Sequence, residues 1–173
     1  MSLIVPVKGI IPEFGKDCFL APNSTIVGDV ILGNNCSVWY NAVIRGDVNA
    51  IRAGDNVNIQ DGAVIHCTYL KAATYIGNNV SIGHNALVHG CTLEDNILIG
   101  MGAIVMDNVV VQSFTIIAAG SVVLENTICE TGYIYAGVPA KKVKAITDEQ
   151  REMLKQLPLN YIMYSKWIMS PEG

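Results

Sequence analysis

Charge is scarce in this sequence. Aspartate and glutamate number 15 and lysine and arginine 11, so charged residues make up 15% of a chain that is 51% hydrophobic; an ordinary soluble domain carries about 25%. A surface so poor in charge has to be covered by something other than water, and contact with further copies of the chain does this most simply. The small basic complement and the net charge of −4 exclude a phosphate-backbone partner, which needs clustered Lys and Arg. No apolar run approaches the ~18 residues that span a bilayer. The opening Met1-Ser2-Leu3-Ile4-Val5-Pro6 lacks both the basic segment and the apolar stretch of a secretory leader. The expectation is therefore one soluble, cytoplasmic domain with neither a nucleic-acid nor a membrane partner. Five cysteines without a CxxC pair suggest neither a disulfide framework nor a zinc knuckle.

What the chain has in abundance is a period of six. Aliphatic or aromatic residues recur at Phe14, Leu20, Ile26, Leu32, Val38 and Ile44, at Ala53, Ile59 and Ile65, at Ile76, Ile82 and Val88, and from Leu93 through Ile99, Val105, Val111 and Ile117 to Val123. Small or β-branched residues stand two positions earlier, as at Cys18, Cys36, Ala63, Ala86 and Cys91, and glycine often follows, as at Gly33, Gly54, Gly77, Gly83 and Gly100. Six fits neither an amphipathic helix at 3.6 nor a long strand at 2, and the turn residues recur at fixed offsets. Very short strands of this kind bury a core only by stacking coil on coil at roughly 4.8 Å, which makes an all-β solenoid of about six three-faced coils. The pattern resembles the hexapeptide-repeat family, and that resemblance implies a left-handed parallel β-helix. The expected layout is a lead-in over residues 1–13, the β-helix over 14–128 with a loop at 67–75, and an exit segment with a C-terminal α-helix over 129–173 that packs on the β-helix or on a neighbour. Thr147-Asp148-Glu149-Gln150 reads as a capping box opening that helix. Pro158 is expected to end it, with a second short helix near 160–168.

The chain has only three histidines, His66, His84 and His89. Counting inward positions across the insertions stacks Ile44, Ile65, Val88 and Val105 in one column, so Arg45, His66 and His89 should lie on successive coils. Two imidazoles in that relation can converge on one ion with bonds of ~2.0–2.1 Å. His84 follows the next column, with Asp61 one coil below it, and so occupies a different face. A threefold trimer can bring that face against the first face of a neighbour, donating His84 across the interface.

With Arg45-Gly46-Asp47, Asn58-Ile59-Gln60-Asp61-Gly62, His66, Gly83-His84-Asn85 and His89-Gly90, the sequence resembles the γ-class carbonic anhydrase family. The resemblance implies that His66 and His89 of one subunit and His84 of the next bind Zn²⁺, with Fe²⁺ or Co²⁺ as alternatives, in a homotrimer. It implies that Gln60 hydrogen-bonds the metal-bound water, that Asn58 lies nearby, that Tyr133 closes the pocket, and that Arg45, Asp47 and Asp61 form the ion-pair network joining subunits. Three neutral ligands leave the ion its full charge, which brings bound water to a pKa of about 7 and supplies hydroxide that can attack CO₂ to give bicarbonate.

The chain departs from the family archetype in proton transfer. Where the archetype has an acidic insertion after the first histidine, Cys67-Thr68-Tyr69-Leu70-Lys71-Ala72-Ala73-Thr74-Tyr75 holds no carboxylate, and Val48 replaces a second glutamate. Tyr69 and Tyr75, near pKa 10, match neutral pH poorly, so proton release is expected to limit turnover. Cys67 is read as structural rather than as a fourth ligand, Cys18, Cys36 and Cys91 as core, and Trp39 as interface packing. The runner-up function is a coenzyme A-dependent acyltransferase. A third is a thioesterase or non-catalytic assembly subunit on the same scaffold.

Overall fold

The computed structural model describes residues 1–170. It is a parallel β-solenoid of about seven turns with a single C-terminal helix, its three faces each built from a stack of short strands. The histidine face stacks Leu3–Val5, the first parts of Thr25–Leu32 and Val43–Ala53, then Val64–His66, Leu87–His89, Ile104–Val105 and Val122–Val123. The glutamine face runs from Phe19–Leu20 through Ser37–Val38, Asn58–Ile59, Ser81–Ile82, Leu98–Ile99 and Ile116–Ile117 to Tyr133–Gly137, where Ala140–Ala145 adds an antiparallel strand. The third face starts at Glu13–Phe14 and ends at Ile128–Cys129. Counting only complete hexads gives about six coils. The additional turn comes from the ends, where Leu3–Val5 and Tyr133–Gly137 pair with neighbouring strands.

The period of six becomes a core because one side chain per short strand points inward. Ile44, Ile65, Val88, Val105 and Val123 stack in a column with no exposure at all, and the other two faces stack Val38, Ile59, Ile82, Ile99 and Ile117, and Leu32, Ala53, Ile76, Leu93 and Val111, in buried columns of their own. The corners need a left-handed residue. Asn35, Asn56, Asn79 and Asn96 all have φ between 54° and 58°, a region that asparagine tolerates better than most. Their amides form a ladder, each Nδ2 donating to Oδ1 one coil up at 3.3, 2.9 and 3.3 Å. Gly33 is needed for a different reason. A Cβ there would lie 2.6 Å from the backbone of Gly54 on the next coil.

The tail differs from expectation at Pro158. One 22-residue helix, α1 (Asp148–Met169), runs straight through it. A proline inside a helix costs about 3 kcal/mol; here it is buried with Leu154 and Ser165 on the packed side, and that burial offsets the lost hydrogen bond. Thr147 does cap the helix, with Gln150 N–H donating to Thr147 Oγ1 at 3.2 Å and Thr147 N–H donating to Gln150 Oε1 at 3.0 Å. The helix lies on the glutamine face, where Tyr161 meets Trp39 edge-on at 5.4 Å between ring centroids and Trp39 packs on Phe19 at 5.2 Å. Trp39 is thus buried by its own chain rather than held for an interface. No helix among the described residues is long and apolar enough to cross a membrane.

Candidate metal centre

His66 and His89 end their strands as register partners on adjacent coils, so their rings leave the same corner one rung apart. Nδ1 of His66 lies 3.0 Å from Nε2 of His89. The outer nitrogens meet carboxylates: His66 Nε2 is 3.1 Å from Asp47 Oδ1, and His89 Nδ1 is 2.5 Å from Asp107 Oδ1. Asp47 in turn takes Arg45 Nη1 at 2.6 Å. A carboxylate only accepts, so each outer nitrogen carries the proton and each inner nitrogen carries a lone pair. With both rings neutral, two lone pairs face each other at 3.0 Å, and either a shared proton or a metal ion between them would join the pair. Two ligands at ~2.0–2.1 Å on a tetrahedral ion would be separated by about 3.3 Å, so these nitrogens suit a zinc-type ion, with the carboxylates as the outer partners such histidines usually have. Among the described residues of one chain, no group of three His, Cys, Asp or Glu is placed to hold a metal; the pair needs a further donor.

Electrostatics are consistent with this arrangement. Burial, reinforced by the Arg45 and His89 charges, pushes the His66 pKa below its usual range despite the hydrogen bond to Asp47. Burial alone would raise Asp47, but hydrogen bonds from Arg45 and His66 outweigh it and hold the carboxyl below its ordinary value. Asp107 is lowered in the same way, its burial outweighed by hydrogen bonds from Thr68 and His89.

His84 is on the corner after Ser81–Ile82, with Nδ1 2.9 Å from Asp61 Oδ2 and both side chains 41% exposed. It shares a cavity of about 350 Å³ with Gln60, Met101, Leu157 and Tyr161. Gln60 is buried, and its amide is fixed: Nε2 donates to Asn58 Oδ1 at 3.0 Å, and Asn58 Nδ2 donates to Ser81 Oγ at 2.7 Å. That leaves Gln60 Oε1 as the free acceptor. A second cavity, of about 420 Å³, is walled by Trp39, Asp61, His84, Tyr161, Tyr164 and Trp167. Tyr133 lines neither cavity; its ring lies under the Lys142 ammonium at 4.5 Å. Within one chain, then, Arg45 and Asp47 join His66 and His89, Asn58 joins Gln60, and Asp61 joins His84, while Tyr133 stands apart.

Cys67 is buried at 1% exposure, its thiol near Ala50 O at 3.4 Å and Thr74 Oγ1 at 3.5 Å, which makes it a core residue. Sequence reasoning missed Asp107. A signal existed, since the column count puts Met106 above His89 and Asp107 is the next residue. It also missed Thr68, whose hydroxyl donates to Asp107 Oδ2 at 2.5 Å.

Short parallel strands in three columns, hexad spacing and a histidine pair backed by carboxylates define a protein of the hexapeptide-repeat left-handed β-helix class. A family model described as bacterial transferase hexapeptide (six repeats) matches residues 12–46. The chain is 43% identical over 156 residues to gamma carbonic anhydrase 2, mitochondrial, of Arabidopsis thaliana, covering 87% of this chain and 56% of that one. The chain thus spans little more than half the length of that plant relative. It is 41% identical to a probable carbonic anhydrase of Methanocaldococcus jannaschii, with 90% and 97% covered. The crystal structure of a hexapeptide transferase family protein from Anaplasma phagocytophilum superposes with a TM-score of 0.91 at 41% identity, covering 95% and 96%. The chain belongs to the γ-class carbonic anhydrase-like family of hexapeptide-repeat proteins.

Proposed function

We propose that this protein is a cytoplasmic homotrimer that holds one divalent ion at each subunit interface, Zn²⁺ with Fe²⁺ or Co²⁺ as alternatives, and hydrates CO₂ to bicarbonate. One observation carries the reading: two histidine nitrogens converge at 3.0 Å with both outer nitrogens on carboxylates, while the third histidine leaves a different corner. His66 and His89 of one subunit and His84 of the next would hold the ion. The carbonic anhydrase names of the Arabidopsis and Methanocaldococcus relatives support the same reading. When bound, such an ion supplies a Lewis acid that brings the pKa of water to about 7.

The chain's own residues would do the rest. Asn58 and Ser81 lock the Gln60 amide so that Oε1 can accept a hydrogen bond from a hydroxyl in the cavity it shares with His84, orienting that oxygen toward CO₂. The apolar walls of the cavity, Met101 and Leu157 among them, limit competing water. Asp47, held by Arg45, orients His66, and Asp61 orients His84. Tyr133, expected from the family resemblance to close the pocket, lines neither cavity, and Tyr161 is the tyrosine that walls the cavity shared by Gln60 and His84. The proton leaves to solvent, and with no carboxylate in residues 67–75 this is the slow step.

A coenzyme A-dependent acyltransferase is the second reading, favoured by the transferase name of the Anaplasma structure. Metal analysis separates the two. The expected result is close to one divalent ion per subunit in purified protein, lost in His84→Ala, with stopped-flow CO₂ hydration above the buffer rate. A metal-free protein that acetylates an acceptor would overturn the proposal, and full metal occupancy without hydration would shift it to a thioesterase or non-catalytic subunit.

A further inference from the structure

We propose that Asp107 is a positioning residue for His89 and that the loop after His66 exists to hold it there. The inference rests on the metal reading of the histidine pair. Asp107 lies one coil above His89, and its backbone is tied down where Asn108 N–H donates to Gly90 O at 2.8 Å. Both its oxygens are engaged: Oδ1 takes the His89 Nδ1 proton and Oδ2 takes the Thr68 hydroxyl. Because the carboxylate can only accept, Nδ1–H is the sole tautomer of His89 that satisfies it, and the lone pair is forced onto Nε2, the nitrogen that faces His66.

Thr68 is itself held on both sides. Its N–H donates to Ala72 O at 3.0 Å, closing the loop on itself, and its carbonyl accepts from Asn49 Nδ2 at 3.2 Å. Further along, the fully buried Thr74 donates to His66 O at 2.7 Å and accepts from Gly90 N–H at 3.0 Å. One hydroxyl thereby fixes the spacing between the two histidine-bearing strand ends. The loop that lacks an acidic side chain is a clamp. It recruits a carboxylate from the next coil and sets where both imidazoles stand.

Asp107→Asn tests this, since an amide of the same shape can turn its NH₂ toward Nδ1 and favour the other tautomer, placing a proton at the metal point. Co²⁺ is the probe, titrated into metal-stripped protein and followed by its visible absorption. Asp107→Asn should weaken Co²⁺ by about 10–100-fold, the loss typical of removing such an outer partner. Thr68→Val should weaken it less, and Thr68→Ser should restore wild-type binding. Independently of metal, ¹⁵N spectra of histidine-labelled protein at alkaline pH should show His89 as the Nδ1–H tautomer in the wild type and shifted toward Nε2–H in Asp107→Asn. Light scattering and melting confirm that each variant assembles. Co²⁺ affinity within twofold of wild type and an unchanged His89 tautomer in Asp107→Asn would overturn the proposal. A wild-type protein that takes up no Co²⁺ would sink the metal reading instead, and the tautomer measurement would still decide the role of Asp107.

Discussion

His66 and His89 send lone pairs to one point because Asp47 and Asp107 hold the protons on the far nitrogens. The same local logic sorts the five cysteines. Cys91 and Cys129 are driven up by burial, Cys129 to about 12, and burial likewise raises Cys67. Cys36 is pushed up by the neighbouring Cys18 thiol and by burial, while Cys18, beside Cys36, is lowered to about 7. Cys18 is also the one cysteine that is not buried, and thiolate content with access decides reactivity. Native protein treated with Ellman's reagent at neutral pH should therefore show one fast thiol, and Cys18→Ser should abolish that phase; a fast phase that survives Cys18→Ser would refute the assignment. Gln60 makes a second case. Gln60→Ala removes an orienting acceptor without touching a ligand, so metal content should stay at the wild-type level while kcat/KM for CO₂ hydration falls by about tenfold or more, about 1.4 kcal/mol per decade. An equal loss of metal would mean that Gln60 serves the fold instead.

At the scale of elements, the short strands were legible because the hexad pattern repeats on every coil, and the capping box at Thr147 was legible because its chemistry is local. The continuation of α1 through Pro158 was not, since it depends on what the helix lies against. Trp39 joins the helix to the glutamine face, buried to 8% exposure between Phe19 and Tyr161. Trp39→Ala should cost about 3–5 kcal/mol, the range for emptying a large aromatic site, read as a lower midpoint in urea. If the helix packs here by surface adhesion alone, the midpoint will barely move. Gly33→Ala should be harsher than its single methyl suggests, because the new Cβ meets backbone on the next coil and backbone cannot swing aside; circular dichroism melts against wild type give the measurement.

For the whole molecule, the outward positions of the histidine face, Val64, Leu87, Ile104 and Val122, are all apolar and only partly buried in one chain. An apolar stripe on a surface this poor in charge is what a self-association face looks like. Site sharing has a direct test in mixed assemblies. His84→Ala subunits keep the pair, and His66→Ala/His89→Ala subunits keep His84, so each alone should bind no metal. Refolded together in equal amounts, one interface in about four brings an intact pair to an intact His84 in a random cyclic trimer, and about a quarter of the wild-type metal should return. If none returns although mixed trimers form, the site is not shared in this way.

Periodicity and residue type, both properties of the linear chain, determined the solenoid, its inward columns and the placing of His89 above His66, because a stacked coil converts step count directly into spatial register. They also separated His84 from the pair. The tertiary structure alone decided which nitrogen of each imidazole faces inward, since that depends on carboxylates brought from other coils. Asp107 is 41 residues beyond His66 in sequence, yet it is joined to it through His89, and Thr68 reaches it only because the loop folds back. Side-chain hydrogen bonds between coils are made by folding, and no repeat in the sequence records them.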